Sequence, residues 1–131
     1  MKIKIIIFSY NREKMLEEQI NHLSKYDVDI LIVDDYSDFD IYKFNDEAAV
    51  YQSPNNRGKK EFYKQWQVAL EYLRENKTDQ DLYIFTPDDF EALDIERIIN
   101  TAKQMNNNHA WLINLINDGR TECLSLIHIS E

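Results

Sequence analysis

The feature that most constrains the fold is a regular alternation of apolar, strand-like runs with amphipathic helical segments. Ile3 to Ser9 is almost entirely apolar and mostly β-branched, and Val28 to Val33 repeats this pattern. Continuous apolar runs of this length are typical of strands buried on both faces of a parallel sheet. Shorter runs predict further strands at Ala48–Gln52, Leu82–Phe85 and Ala110–Ile116.

The segments between these runs carry apolar residues at helical spacing. This spacing predicts helices over Asn11–Lys25 and Lys59–Glu75, and a third from an N-cap at Asp94 to about Met105. Because strands and helices alternate without a repeat or a linker, the sequence predicts a three-layer, Rossmann-like α/β domain around a mostly parallel sheet.

Bulk composition narrows the class of protein. The 131 residues suit a single domain, and 44% hydrophobic content is enough for a packed core. A net charge of −9 would repel phosphate backbones, so we expect no nucleic-acid partner. The lone Cys123 fits a reducing compartment, and no apolar run approaches the roughly 20 residues that span a bilayer. We therefore expect a cytoplasmic chain without a transmembrane segment.

Acidic pairs follow two of the predicted strands. Asp34–Asp35 ends the second strand and Asp88–Asp89 ends the fourth, while Tyr10–Asn11 follows the first. Ligands of open α/β sheets bind beyond the carboxyl ends of the strands, so we expect these segments to meet at one edge. Each pair alone is better explained by turn chemistry. Two pairs at equivalent positions favour a divalent cation with a pyrophosphate as co-ligand.

The basic residues and the missing glycine motifs reduce the range of candidate ligands further. Arg57, Lys59 and Lys60 flank Gly58 before a helix, where they would suit a diphosphate or, equally well, a solvated turn. Ser9–Arg12 stands where a dinucleotide fold has its glycine-rich turn, and no P-loop is present. NAD, FAD and Walker-type ATP binding are therefore disfavoured.

With these motifs placed, the chain resembles family 2 glycosyltransferases of the GT-A fold over about Lys4 to Ile116. Four segments carry the resemblance: Ile5–Arg12, Leu31–Asp38, Asn56–Gly58 and Tyr83–Phe90. Each segment is weak alone, and their order and spacing together are fairly specific. The resemblance implies an enzyme that transfers a sugar from a nucleotide-diphosphate sugar to a glycan, lipid or protein acceptor.

The resemblance also implies site residues. Ser9 and Tyr10 would line the nucleoside pocket, Asp35 would hydrogen-bond the base, Asp88 would contact the ribose or sugar, and Asp89 would bind Mn²⁺ or Mg²⁺. The full predicted nucleotide-sugar-binding set is Ser9, Tyr10, Asn11, Asp35, Arg57, Lys59 and Asp88, with Asp89 as metal ligand. The identity of the base is left open.

The chain departs from the family pattern in two places. Gln65–Gln67 stands where the family often has Ala-Arg-Asn, so phosphate binding would pass to Arg57, Lys59 or Lys60. No segment matches the family's catalytic base, so we expect a C-terminally truncated, donor-binding half whose catalytic residue is unidentified.

The last eight residues raise a separate question. Leu124–Glu131 matches the translation of a transposon-derived sequencing adapter, CTGTCTCTTATACACATCTCCGAG. We therefore assign residues 1–123 to the nucleotide-sugar-binding domain and interpret 124–131 as adapter-derived. A native apolar strand is the alternative.

Two other functions are compatible with this pattern. A receiver domain of a response regulator is also α/β, with acidic residues at strand ends and a bound Mg²⁺, although Ser9–Asn11 stands where its acidic pair belongs. The second compatible function is a non-catalytic module that binds a nucleotide sugar, because the same fold can serve different functions.

Overall fold

The computed structural model describes residues 2–76, 80–88, 95–104, 109–114 and 123–128, and it divides the chain into two compact units. The first unit is Met1–Ile95 and the second is Glu96–Glu131. The first contains β1 (Ile3–Ser9), α1 (Glu13–Leu23), β2 (Val28–Asp34), β3 (Ala49–Gln52), α2 (Phe62–Glu75) and β4 (Leu82–Pro87). α3 (Ile95–Lys103) begins at the last residue of the first unit, and β5 (His109–Asn114) and β6 (Cys123–His128) follow in the second.

The four strands of the first unit form one parallel sheet in the order β3-β2-β1-β4. Ser9 pairs with Asp34, and Phe8 pairs with both Val33 and Pro87, so β1, β2 and β4 end at the same level. The polar residues that follow these strands therefore begin at one edge of the sheet. Receiver domains have the order 2-1-3-4-5, which this sheet does not follow.

Alternation along β1, at the centre of the sheet, explains how this strand is buried on both faces. Every residue of β1 is buried, and Ile6 and Phe8 pack with Leu31, Val33 and Ala69 in one cluster. Successive side chains point to opposite faces, so the remaining isoleucines of β1 fill the other side. Each fully buried side chain of this size contributes about 1.5–3 kcal/mol to folding.

The helices lie on the two faces of this sheet. The connection from β1 to β2 runs opposite in direction to the connection from β3 to β4, and right-handed crossovers then place α1 and α2 on opposite faces. Leu16, Ile20 and Leu23 of α1 are buried accordingly. The predicted three-layer α/β architecture is confirmed.

The structure corrects several predicted boundaries. α1 begins at Glu13 rather than Asn11, because Asn11 has φ +49° and a left-handed residue cannot continue a right-handed helix. α2 begins at Phe62, after a 3₁₀ turn at Lys59–Glu61. Asp94, the predicted N-cap of α3, lies outside the described residues.

The last strands depart from the predicted alternation. The alternation predicts that the fifth strand continues the parallel pattern, whereas β5 pairs antiparallel with β6 in a separate two-stranded sheet. The assignment of residues 1–123 and 124–131 to different origins stays a prediction. Within the described part of the chain, no helix is long and apolar enough to cross a membrane.

Candidate functional site

A cavity of about 520 Å³ opens at the carboxyl ends of β1, β2 and β4. Its size is in the range of small-molecule sites, about 300–1,000 Å³. Five of the predicted site residues line it: Ser9, Tyr10, Asp35, Lys59 and Asp88. The acidic turns after β2 and β4 therefore converge on one space with the turn after β1.

Asp35 is held by the loop that precedes α2. One carboxylate oxygen accepts from the backbone N–H of Arg57 at 2.7 Å, and the other accepts from that of Gly58 at 3.0 Å. Gly58 has φ +68° and ψ −173°, a conformation essentially restricted to glycine. Each oxygen of Asp35 keeps lone-pair capacity for a further donor in the cavity.

Asp34, its neighbour, has a structural role. This carboxylate is fully buried and accepts from the backbone N–H of Ser37 at 2.8 Å and from its hydroxyl at 2.6 Å. The side-chain amide of Gln52 donates a third bond at 3.1 Å. The two adjacent aspartates, equivalent in the sequence, therefore serve different purposes.

Asn11 joins the turns after β1 and β2 and does not line the cavity. Its side-chain amide donates to Asp38 at 3.2 Å and accepts from the backbone N–H of Asp38 at 2.7 Å. Its backbone N–H donates to the hydroxyl of Ser37 at 2.8 Å. These bonds fix the left-handed backbone at Asn11, which positions the adjacent Tyr10 and Arg12.

Asp88 is buried against the turn after β1. One of its oxygens accepts from the backbone N–H of Tyr10 at 2.9 Å, and the other lies 3.5 Å from Nε of Arg12. The Arg12 side chain is 49% exposed and lines the cavity. Arg12 ends one of the segments that resemble family 2 glycosyltransferases, but it was not among the predicted site residues. Its positive charge next to predicted acidic site residues could have indicated it.

Arg57 does not line the cavity and instead contacts Gln65, a residue that does. Its guanidinium donates to Oε1 of Gln65 at 2.9 Å, and the hydroxyl of Ser53 donates to the same oxygen at 2.7 Å. Lys59 is exposed and lines the cavity. Gln65 is buried and also lines it, although the sequence analysis treats this residue only as a departure from the family pattern. Arg12 and Lys59 are therefore the cations of the described chain that line this cavity.

The metal assignment rests on Asp89, which lies outside the described residues. In the described ranges, no group of three or more histidine, cysteine and acidic residues could hold a metal ion. Mg²⁺ is commonly bound by only one or two carboxylates together with substrate phosphates and water. Asp88 lines the cavity and is compatible with that kind of site. Asp89 as metal ligand stays a prediction.

Comparison with known proteins finds similarity in the fold. No family model matches the sequence, and no curated protein matches it. Among solved structures, the crystal structure of S. aureus TarS, a glycosyltransferase, is similar with a TM-score of 0.52 and 28% identity. The match covers 68% of this chain and 17% of TarS. The chain therefore has a glycosyltransferase-like fold, and it corresponds to a small part of TarS.

Proposed function

We propose that this chain forms the donor-binding part of a glycosyltransferase similar to family 2, with the cavity holding the nucleoside diphosphate of a nucleotide sugar. The observation that carries the proposal is the convergence of Asp35 and Asp88 on one cavity, within a glycosyltransferase-like fold. Ser9 and Tyr10 complete the wall between them.

The charges around the cavity suit a nucleoside diphosphate, because the lining includes both a carboxylate and two cations. Asp35 is held by backbone donors and offers acceptors to a base, whereas Arg12 and Lys59 offer positive charge to phosphates. These local cations are needed because the chain as a whole carries a net charge of −9.

A divalent cation is part of the proposal. Asp89, with Asp88 beside it, would hold Mn²⁺ or Mg²⁺ against the diphosphate. Bound there, the ion would act as a Lewis acid that stabilises the departing diphosphate. The acceptor, whether glycan, lipid or protein, is left open, and a cytoplasmic location stays a prediction from composition.

Thermal unfolding with added nucleotides tests this function. UDP, GDP and CDP are each titrated with Mn²⁺, and a bound ligand at a hundred times its Kd should stabilise the chain by about 2.7 kcal/mol. Asp89→Ala should remove the metal-dependent part of the shift and leave the fold intact. Asp46→Ala, an exposed aspartate outside the cavity lining, is the matched control.

Each result has a separate consequence. Absence of stabilisation by any nucleoside diphosphate, with or without Mn²⁺, would remove the proposed function. An unchanged metal-dependent shift in Asp89→Ala would remove the metal assignment and leave nucleotide binding standing.

A further inference from the structure

The buried carboxylate of Asp88 is paired with a cation that belongs to the protein itself. Asp88 is 6% exposed, and its Oδ1 lies 3.5 Å from Nε of Arg12. A carboxylate removed from water is costly unless positive charge or hydrogen bonds compensate it. Asp88 is also the neighbour of Asp89, the proposed metal ligand, so Arg12 supplies positive charge where the proposed divalent cation would supply it.

Both partners of this ion pair are positioned by the turn after β1. Oδ2 of Asp88 accepts from the backbone N–H of Tyr10 at 2.9 Å, which fixes the orientation of the carboxylate. Arg12 follows two residues later, and the backbone of the intervening Asn11 is fixed by hydrogen bonds to the turn after β2. The backbone that carries Arg12 is therefore anchored beside Asp88, and movement of Arg12 is a matter of its side chain.

The guanidinium of Arg12 is loosely held. Its distance of 3.5 Å to Asp88 exceeds the roughly 2.7–2.9 Å of a charge-assisted hydrogen bond. Its Nη1 lies 3.9 Å from the sulfur of Met15, which is a weak acceptor. The side chain is 49% exposed and lines the cavity. Arg12 can therefore turn from Asp88 to a ligand in the cavity at a small cost.

We propose that Arg12 is an exchangeable counterion, a positive charge that neutralises Asp88 in the unliganded chain and releases it when a divalent cation and a nucleoside diphosphate bind together. A guanidinium and a divalent cation at one carboxylate repel each other, and the repulsion is stronger away from bulk water. The diphosphate offers Arg12 a new partner in the same cavity. Metal alone therefore binds weakly, and metal and diphosphate bind cooperatively. This inference rests on the proposed function, and it adds to that site a residue that makes metal binding depend on the nucleotide.

Binding of Mn²⁺ to the whole chain without nucleotide, followed by electron paramagnetic resonance of the free ion, tests the competition directly. Arg12→Gln keeps a polar side chain and removes the charge, so we expect Mn²⁺ to bind about tenfold more tightly than to the wild-type chain. Lys14→Gln is the matched control, because Lys14 is exposed, does not line the cavity and loses the same charge. An unchanged Mn²⁺ affinity in Arg12→Gln, or equal gains in both variants, would overturn the inference.

Two further variants separate the charge of Arg12 from its contribution to folding. Arg12→Lys keeps the positive charge, so its Mn²⁺ affinity should stay within about threefold of the wild-type value. Arg12→Met keeps an unbranched apolar stem and removes the charge, and it replaces Arg12→Gln if that variant fails to fold. Thermal unfolding confirms that each variant is folded. Equal Mn²⁺ affinities in Arg12→Lys and the neutral variants would contradict a role for the charge.

Titration of Mn²⁺ at a saturating concentration of UDP, GDP or CDP, whichever binds in the thermal assay, tests the cooperativity. The nucleotide should tighten Mn²⁺ binding by a factor about tenfold larger in the wild-type chain than in Arg12→Gln, because only the wild type has a counterion to release. Equal factors in the two proteins would contradict the exchange and leave the proposed function intact. Absence of nucleotide binding would remove the proposed function, whereas the competition between Arg12 and the metal is decided by the titration with Mn²⁺ alone.

Discussion

Replacement of Asp34 with alanine tests whether this buried carboxylate holds the turns of the site together. Asp34 accepts three hydrogen bonds, two from Ser37 and one from the side chain of Gln52. Alanine leaves all three donors without that acceptor. Because Ser37 is itself buried and also accepts from the backbone of Asn11, the turn after β1 is affected too.

The magnitude follows from how easily each donor finds another partner. A buried backbone N–H left without an acceptor costs about 1–3 kcal/mol, and this applies to Ser37. Its hydroxyl can rotate, and the half-buried Gln52 can turn toward water, so these two groups add less. We expect Asp34→Ala to lower the free energy of unfolding by about 2–4 kcal/mol, and the Tm by about 10 °C.

Urea denaturation followed by far-ultraviolet circular dichroism measures the change. Asp46→Ala, which removes an exposed aspartate, should change the unfolding free energy by less than about 0.5 kcal/mol. Equal losses in the two variants would refute the structural role of Asp34. A change in the slope with urea would show instead that the compactness of one of the states had changed.

Three further predictions concern the cavity. Gly58→Ala should cost about 1–3 kcal/mol in urea denaturation, since φ +68° with ψ −173° strains any side-chain-bearing residue, and unchanged stability would contradict this backbone assignment. Asp35→Asn turns an amide –NH₂ toward one of the two backbone N–H groups that now donate to the carboxylate. Calorimetry should then show an affinity for UDP or GDP that is reduced about tenfold. Wild-type affinity in this variant would exclude Asp35 from base binding. Arg12→Ala should weaken UDP binding by about tenfold while Lys14→Ala, which removes a charge outside the cavity lining, should not; equal effects would show that only net charge matters.

Much of the fold could be predicted because its signals are local. The apolar runs at Ile3–Ser9 and Val28–Val33 predicted β1 and β2, and the spacing of apolar residues predicted α1 and α2 within three residues of their ends. Boundaries failed where the backbone conformation is set by distant partners. Asn11 is the example, because its left-handed conformation is supported by bonds to Ser37 and Asp38.

The location of the cavity was predictable from the same local pattern, because parallel strands bring their carboxyl ends to one edge. The different roles of the residues around the cavity could not be predicted in this way. Asp34 and Asp35 are identical in type and adjacent in sequence, and only their orientation at the end of β2 separates an interior anchor from a residue of the cavity wall. In the same way, Arg57 was predicted as a site residue and does not line the cavity, whereas Arg12 lines it and was not predicted.

The amino-acid sequence by itself determined the class of fold and the edge of the sheet at which polar groups gather, since both follow from side-chain periodicity along each strand. Only the tertiary structure decided which of those polar groups form hydrogen bonds within the protein and which have no partner there. Gln65 shows the physical reason: its carbonyl oxygen is satisfied by residues 8 and 12 positions earlier in the chain, while its amide nitrogen is not. Partners of this kind are chosen by packing in three dimensions, which the pattern along the chain does not encode.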